Sequence, residues 1–252
     1  MEDHAIAMTA TELLSPILIS LKTALTATAI TFVLGVAAAR WMAGMKSRMS
    51  NLLDGIFILP LVLPPTVVGL GLLFLFGRNS PLGKVLEYFG TTVVFSWSAT
   101  VIAATTVAFP LMYQTARGAF EQIDPNIIDA ARTLGCSEWT IFWRVTVPVA
   151  WPGIAAGLVL SFARALGEFG ATLMVAGSLP GRTETIPIAI YFAVEGGHTA
   201  QALYWVAVVL VISFASFLFV SSNLPITASA SNFSLISSIR SSFILTNSCS
   251  NL

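Results

Sequence analysis

The chain has 252 residues, of which 56% are hydrophobic and only 10% charged, with a mean hydropathy of +0.85. A soluble domain carries roughly 25% charged and about 45–50% apolar residues, so charge is too scarce to coat a water-facing surface and lipid must solvate much of the chain. The 12 basic and 12 acidic side chains cancel, which excludes the basic excess of a nucleic-acid binder. The composition is that of an all-α polytopic membrane protein.

A membrane-crossing helix needs about 20 mostly apolar residues, because a rise of 1.5 Å per residue must cover roughly 30 Å of hydrocarbon. Five stretches qualify, at about 16–39, 52–76, 92–113, 150–176 and 200–221. The first follows an acidic lead (Glu2, Asp3, Glu12), and its apolar run outlasts the roughly 7–15 residues of a signal core, so it reads as a span. The second holds Pro60, Pro64 and Pro65, each removing a ladder hydrogen bond, so the helix must kink or break there. Freed carbonyls in a bilayer are tolerated only against protein or a wet cavity. Pro60, Pro64, Pro65 and Thr66 therefore serve either packing or a translocation path. After this span, Gly77–Val85 looks superficially like a P-loop, but it spaces its glycines by five residues and has Val85 where magnesium binding needs a hydroxyl.

Between the third and fourth spans lies the one long connection, 114–149. Asp124-Pro125 is a helix start, since Asp caps free N–H groups and Pro suits the first position. Ile127, Ile128, Ala131 and Leu134 share a face at helical spacing, and Gly135 stops the helix. Ser137-Glu138 begins a second short helix with Ile141, Phe142 and Val145 on one side, which Pro148 is expected to end. Shape alone leaves two roles open: resting on the membrane interface, or docking a partner.

Spacing separates them. Asp129-Ala130-Ala131, three residues, Gly135, nine residues, then Val145-x-Val147-Pro148 resembles the signature of ABC importer permeases. That pattern is Glu-Ala-Ala, three residues, Gly, nine residues, Ile-x-Leu-Pro. The spacings agree, and Asp129, Val145 and Val147 depart conservatively. The resemblance implies a type I ABC importer permease fold in which this loop is the coupling helix for a separate ATPase. It assigns that role to Asp129, Ala130, Ala131, Leu134, Gly135 and Pro148. The strings at 59–71, 161–172 and 181–187 resemble molybdate permeases in particular.

Within span four, Arg164 and Glu168 are four apart and able to pair. Ionisable groups at such depth are costly unless paired or wet. They either line a path or tie helices together. Gly153 and Gly157 form a small-xxx-small face whose expected use is close helix packing, in the bundle or across a dimer.

Loop charges set the expected orientation. Arg40, Lys46, Arg48, Arg117, Arg132 and Arg144 fall on one side, and Arg78, Lys84 and Arg182 on the other. The richer side is cytoplasmic by the positive-inside rule, placing the N-terminus outside and the C-terminus inside. Residues 1–220 then form the permease domain, and the Ser-rich 221–252 reads as a disordered tail. His4 and His198 are isolated, which predicts no metal site, and Cys136 and Cys249 lie too far apart in sequence to suggest a disulfide framework.

The resemblance implies a plasma (bacterial inner) membrane permease for an oxyanion. Molybdate is favoured, with tungstate and sulfate as alternatives that residue chemistry does not separate. It further implies a homodimer, a cytoplasmic ATPase dimer that holds the ATP and magnesium, and an external molybdate-binding protein. No cofactor and no catalytic residue is expected on this chain. An ATP-independent anion carrier is the rival, weakened by the absence of an evident internal repeat. An intramembrane enzyme fares worse, with no H-E-x-x-H, no G-x-S-x-G and no His in a span.

Overall fold

The computed structural model describes residues 10–45 and 48–223, and every regular element among them is helical. Three helices are long and apolar enough to cross a membrane, within Leu13–Ala43, Glu138–Leu166 and Thr199–Ser216, and a bent pair makes a fourth.

Helix α1 (Ala10–Ala43) shows how such a chain packs. Its buried face reads Ser20, Thr23, Ala24, Ala27, Thr28, Thr31 and Ala39, while Leu14, Leu18, Leu25, Val33 and Leu34 are exposed. The usual amphipathic order is inverted. Lipid tails are as apolar as leucine, so helices gain by close backbone approach between small residues instead of by hiding large ones. The buried stripe meets α5 (Trp97–Glu121), which also packs on α2 (Arg48–Val62), α8 (Val147–Leu166) and α9 (Gly170–Ala176). α5 is itself lined by Ala99, Ala103, Ala104, Ala108 and Ala116.

Glycines set the closest approaches. A Cβ on Gly157 would stand 2.0 Å from Thr115 Oγ1, and one on Gly153 would stand 2.6 Å from Ala119 Cβ. The Gly153/Gly157 face thus packs α8 onto α5 within the bundle. Gly157→Val is expected to cost about 1–3 kcal/mol through overpacking, seen as a lower unfolding temperature in detergent. Gly71→Ala is the control, since a Cβ there meets nothing within 4 Å. Equal unfolding temperatures for the two variants would contradict the packing argument.

Two expected spans are broken. The stretch 52–76 divides into α2 and α3 (Pro65–Phe76), bent by 112°. Pro64 caps α3 with extended backbone (φ −54°, ψ 137°) and Pro65 takes its first position, where a missing N–H costs nothing. The stretch 150–176 divides at Gly167–Phe169 into α8 and α9. The third expected span starts late, at Trp97 and not at 92. Phe95 has φ +58° and donates its N–H to the Val175 carbonyl at 3.1 Å, which holds the preceding segment out of the helix.

The P-loop-like string forms α4 (Pro81–Tyr88), capped by Ser80, whose Oγ accepts from the Gly83 N–H at 2.8 Å. After α9, Gly177 and Gly181 turn the chain at positive φ. Thr183 then donates to the Ala176 carbonyl, and the Ile186 N–H donates to Ser20 Oγ at 2.7 Å. These bonds seat the short apolar helix α10 (Ile186–Glu195) against α1. The last helix, α11 (Thr199–Asn223), runs slightly past the predicted end at 221. The remainder of the expected tail, 224–252, and His4 lie outside the described residues. Cys249 also lies outside the described residues.

Candidate functional site

The loop expected to dock a partner folds as a locked helical hairpin. Asp124 accepts from the Asn126 N–H at 2.9 Å and starts α6 (Pro125–Thr133). At its far end Gly135 takes φ +79°, the Gly135 N–H reaches the Arg132 carbonyl at 2.9 Å, and the Cys136 N–H reaches that of Ala131 at 3.3 Å. This paired arrangement is a Schellman C-cap, which needs a left-handed residue at the position Gly135 holds. Ser137 then caps α7 (Glu138–Ile141).

The face predicted from spacing is divided by the structure. Ala131, Ile141 and Val145 form a small buried cluster with Ile127, Ile128 and Cys136 packed against it. Leu134 is 60% exposed, and Asp129, Ala130, Gly135 and Pro148 are exposed as well. Ala131 therefore holds the hairpin together, while Asp129, Ala130, Leu134 and Gly135 face outward with Trp139 and Trp143. Pro148 does not end the second helix. A π turn over Phe142–Thr146 joins α7 directly to α8, where Pro148 lies in the first turn. The wider turn removes the demand for the N–H that proline lacks.

Arg132 clamps the hairpin across the Gly135 turn. Its Nε and Nη2 donate to the two Glu138 oxygens at 2.7 and 3.2 Å, and Nη1 donates to Asp129 at 3.0 Å. Arg40 at the end of α1 lies over the Phe142 ring at 5.6 Å, and a cleft of about 220 Å³ separates α1 from the hairpin. The Arg132 hydrogen bonds hold the Glu138 carboxyl below its ordinary value of 4.5, with Arg40 adding to the shift. A lowered carboxyl stabilises the fold above its unfolded pKa, and that contribution is lost as pH falls through the folded value. The pair is exposed, so the effect is local and salt-screened. Protease cleavage of the hairpin is expected to rise on acidification below about pH 4.5, and Glu138→Gln to be cleaved readily at neutral pH. Equal cleavage of both proteins at neutral pH would show the clamp to be idle.

The second group of predicted residues also comes together. The breaks in α2/α3 and α8/α9 meet: a Cβ on Gly170 would lie 3.1 Å from Pro65 Cβ and 3.4 Å from Thr66 Cγ2. One turn along, a Cβ on Gly69 would lie 2.8 Å from Ala171 Cα, so α3 and α9 pack backbone to backbone. Glu168, 2% exposed, sits at this junction. Its Oε1 accepts from the Ala171 N–H at 2.8 Å, and its Oε2 lies 2.6 Å from Arg164 Nη1 without hydrogen-bond alignment. Pro64, Pro65 and Thr66 are exposed beside it, while Pro60 is half-buried in α2.

Sequence reasoning passed over two features. Asp54, on α2, accepts from the Tyr113 hydroxyl and pairs with Arg117, which also donates to Glu121 at 2.7 Å. Lys22, on α1, lies 4.1 Å from the centre of the Trp97 ring. Both Asp54 and Lys22 fall inside predicted spans, where an ionisable residue is itself the signal.

Residues 31–224 match the family described as binding-protein-dependent transport system inner membrane component. The chain belongs to this family. Among relatives of this inner membrane component, the putative molybdenum transport system permease protein YvgM of Bacillus subtilis (strain 168) is 45% identical over 214 residues, 84% of this chain and 94% of that protein. The molybdenum transport system permease protein ModB of Escherichia coli (strain K12) is 42% identical over 189 residues, 74% of this chain and 82% of its own. A solved inward-facing structure of the MetNI methionine ABC transporter superposes with a TM-score of 0.67 at 13% identity. That match covers 86% of this chain and 98% of the other, and it shows a shared fold. The fold is thus that of the type I ABC importer permeases, and the chain is a multi-pass inner membrane transport component.

Proposed function

We propose that this chain is the permease subunit of an ABC importer and forms the membrane path for molybdate. The observation that carries the reading is the 45% identity to a putative molybdenum permease over 94% of that protein's length. In this reading the α6–α7 hairpin is the coupling element. Asp129, Ala130, Leu134 and Gly135 present its outer face to a separate ATPase, while Ala131 and Pro148 keep its shape. The ATPase holds the ATP and magnesium, and an external binding protein delivers the anion. Nucleotide-driven closure of the ATPase pair moves the hairpins as rigid bodies and alternates access.

The permease works as a homodimer. The exposed Pro64, Pro65 and Thr66, beside the Arg164–Glu168 junction, face the path that two copies complete. Residues 1–220 cross the membrane five times, with α2 and α3 counted as one broken crossing and α5 added to the four that length and apolarity pick out. The N-terminus lies outside and the C-terminus in the cytoplasm, as the basic residues near the hairpin support.

Anion uptake in cells lacking their own permease but keeping the binding protein and ATPase tests the reading. Expression of this chain is expected to restore molybdate uptake that tungstate inhibits and sulfate does not. Sulfate inhibition as strong as tungstate's would move the substrate to a broader oxyanion class. Uptake surviving deletion of the ATPase would overturn the importer reading in favour of a secondary carrier.

A further inference from the structure

At the end of the bundle away from the hairpin lies a cavity of about 990 Å³. Three cations line it, Lys22 on α1, Arg78 after α3 and Arg182 after α9, together with Ser96 and Trp97 at the start of α5. No Asp or Glu is among the lining residues. Among the described residues, no carboxylate lies within ion-pair distance of any of the three cations. From Lys22 to Arg40 is eighteen residues of one helix, a rise of about 27 Å, so the cavity and the hairpin cleft sit at opposite ends of the bundle.

The lysine is held in place. Trp97 donates its indole N–H to Thr23 Oγ1 at 3.0 Å, and Thr23 in turn contacts Thr100 Oγ1 at 3.1 Å. The fixed ring offers its face to the Lys22 ammonium, which a cation–π contact steadies without neutralising. Three like charges around one hollow repel one another, and low-dielectric walls focus their field into it. An anion entering the hollow relieves that repulsion. Arg and Lys supply charge-assisted N–H donors suited to a tetrahedral oxyanion. The cavity is far wider than such an ion, so it would hold a partly hydrated anion loosely, and loose binding lets an ion leave as well as enter.

We propose that Lys22, Arg78 and Arg182 form a receiving vestibule for the tetrahedral oxyanion. It takes the anion as the external binding protein releases it and holds it at the outer mouth of the path. This rests on the importer reading above, and its test can fail separately.

The experiment uses the permease–ATPase complex in nanodiscs and equilibrium binding of radiolabelled molybdate, without the binding protein. Uptake by the complete system is measured in parallel. The triple variant Lys22→Gln/Arg78→Gln/Arg182→Gln is expected to weaken molybdate binding at least about tenfold and to raise the KM for uptake while the maximal ATPase rate stays unchanged. The charge-keeping variant Lys22→Arg/Arg78→Lys/Arg182→Lys is expected to retain binding, and added salt to weaken the wild type more than the neutral variant. If the wild-type complex transports molybdate and the neutral variant binds and transports it equally well, the vestibule is overturned and the importer reading stands. If anion binding is unchanged but affinity for the binding protein falls, the charges serve docking and the proposal is again overturned. A wild-type complex that neither binds nor transports the anion overturns both readings.

Discussion

Glu168→Ala is expected to destabilise the protein by about 3–5 kcal/mol, the cost of removing one partner from a buried ion pair. The Arg164 side chain keeps 26% of its surface exposed, which places the expectation toward the lower end. Two losses combine. Arg164 is left without its counter-charge, and the Ala171 N–H at the start of α9 loses its acceptor. Because α9 packs on α3 backbone to backbone, the damage reaches both broken helices. Glu168→Gln keeps a carbonyl able to accept from Ala171 and is expected to lose less. Adding Arg164→Met to Glu168→Gln removes the unpaired charge and is expected to recover part of the remainder. Unfolding temperatures in detergent of the wild type, Glu168→Gln, Arg164→Met and the double variant form a double-mutant cycle. Additive losses would show that the two residues do not act as a pair.

Substitution of Gly135 is expected to act through backbone conformation and not through space. A Cβ there meets nothing within 4 Å, yet φ is +79°. A left-handed backbone costs an ordinary L-residue about 1–2 kcal/mol, and β-branched residues suffer most, whereas Asn enters the region readily. Recovery of the ATPase with the permease, and molybdate uptake, are therefore expected to fall in the order Asn, Ala, Val. Gly135→Asn is expected to stay near wild type and Gly135→Val to lose at least about tenfold. Failure of Asn as severe as that of Val would mean that the exposed surface at Gly135, and not the turn, is what the ATPase reads. Full activity of Gly135→Val would remove the hairpin from the coupling role.

Much of this architecture is legible along the chain, because its causes are local. Scarce charge, long apolar runs, the Asp124-Pro125 start and the Gly135 stop are decided by solvent, propensity and backbone chirality within a few residues of each other. The proline cluster at 60–65 likewise dictates a break wherever the helix lies. Other features arise only when distant segments meet. That Ala131 is buried and Leu134 exposed depends on α7 folding back through the Gly135 turn, since helical spacing alone gives both residues one face. That α8 ends at Leu166 depends on a buried Glu168 capping α9, and that α5 begins at Trp97 depends on the bond from Phe95 to Val175.

The cationic cavity is the clearest case. Lys22, Arg78 and Arg182 are widely separated in the sequence, where Arg78 and Arg182 read as loop charges and Lys22 was passed over. Electrostatic fields add in space and not along the chain, so only the packing of α1, α3 and α9 onto α5 makes three separate charges one site.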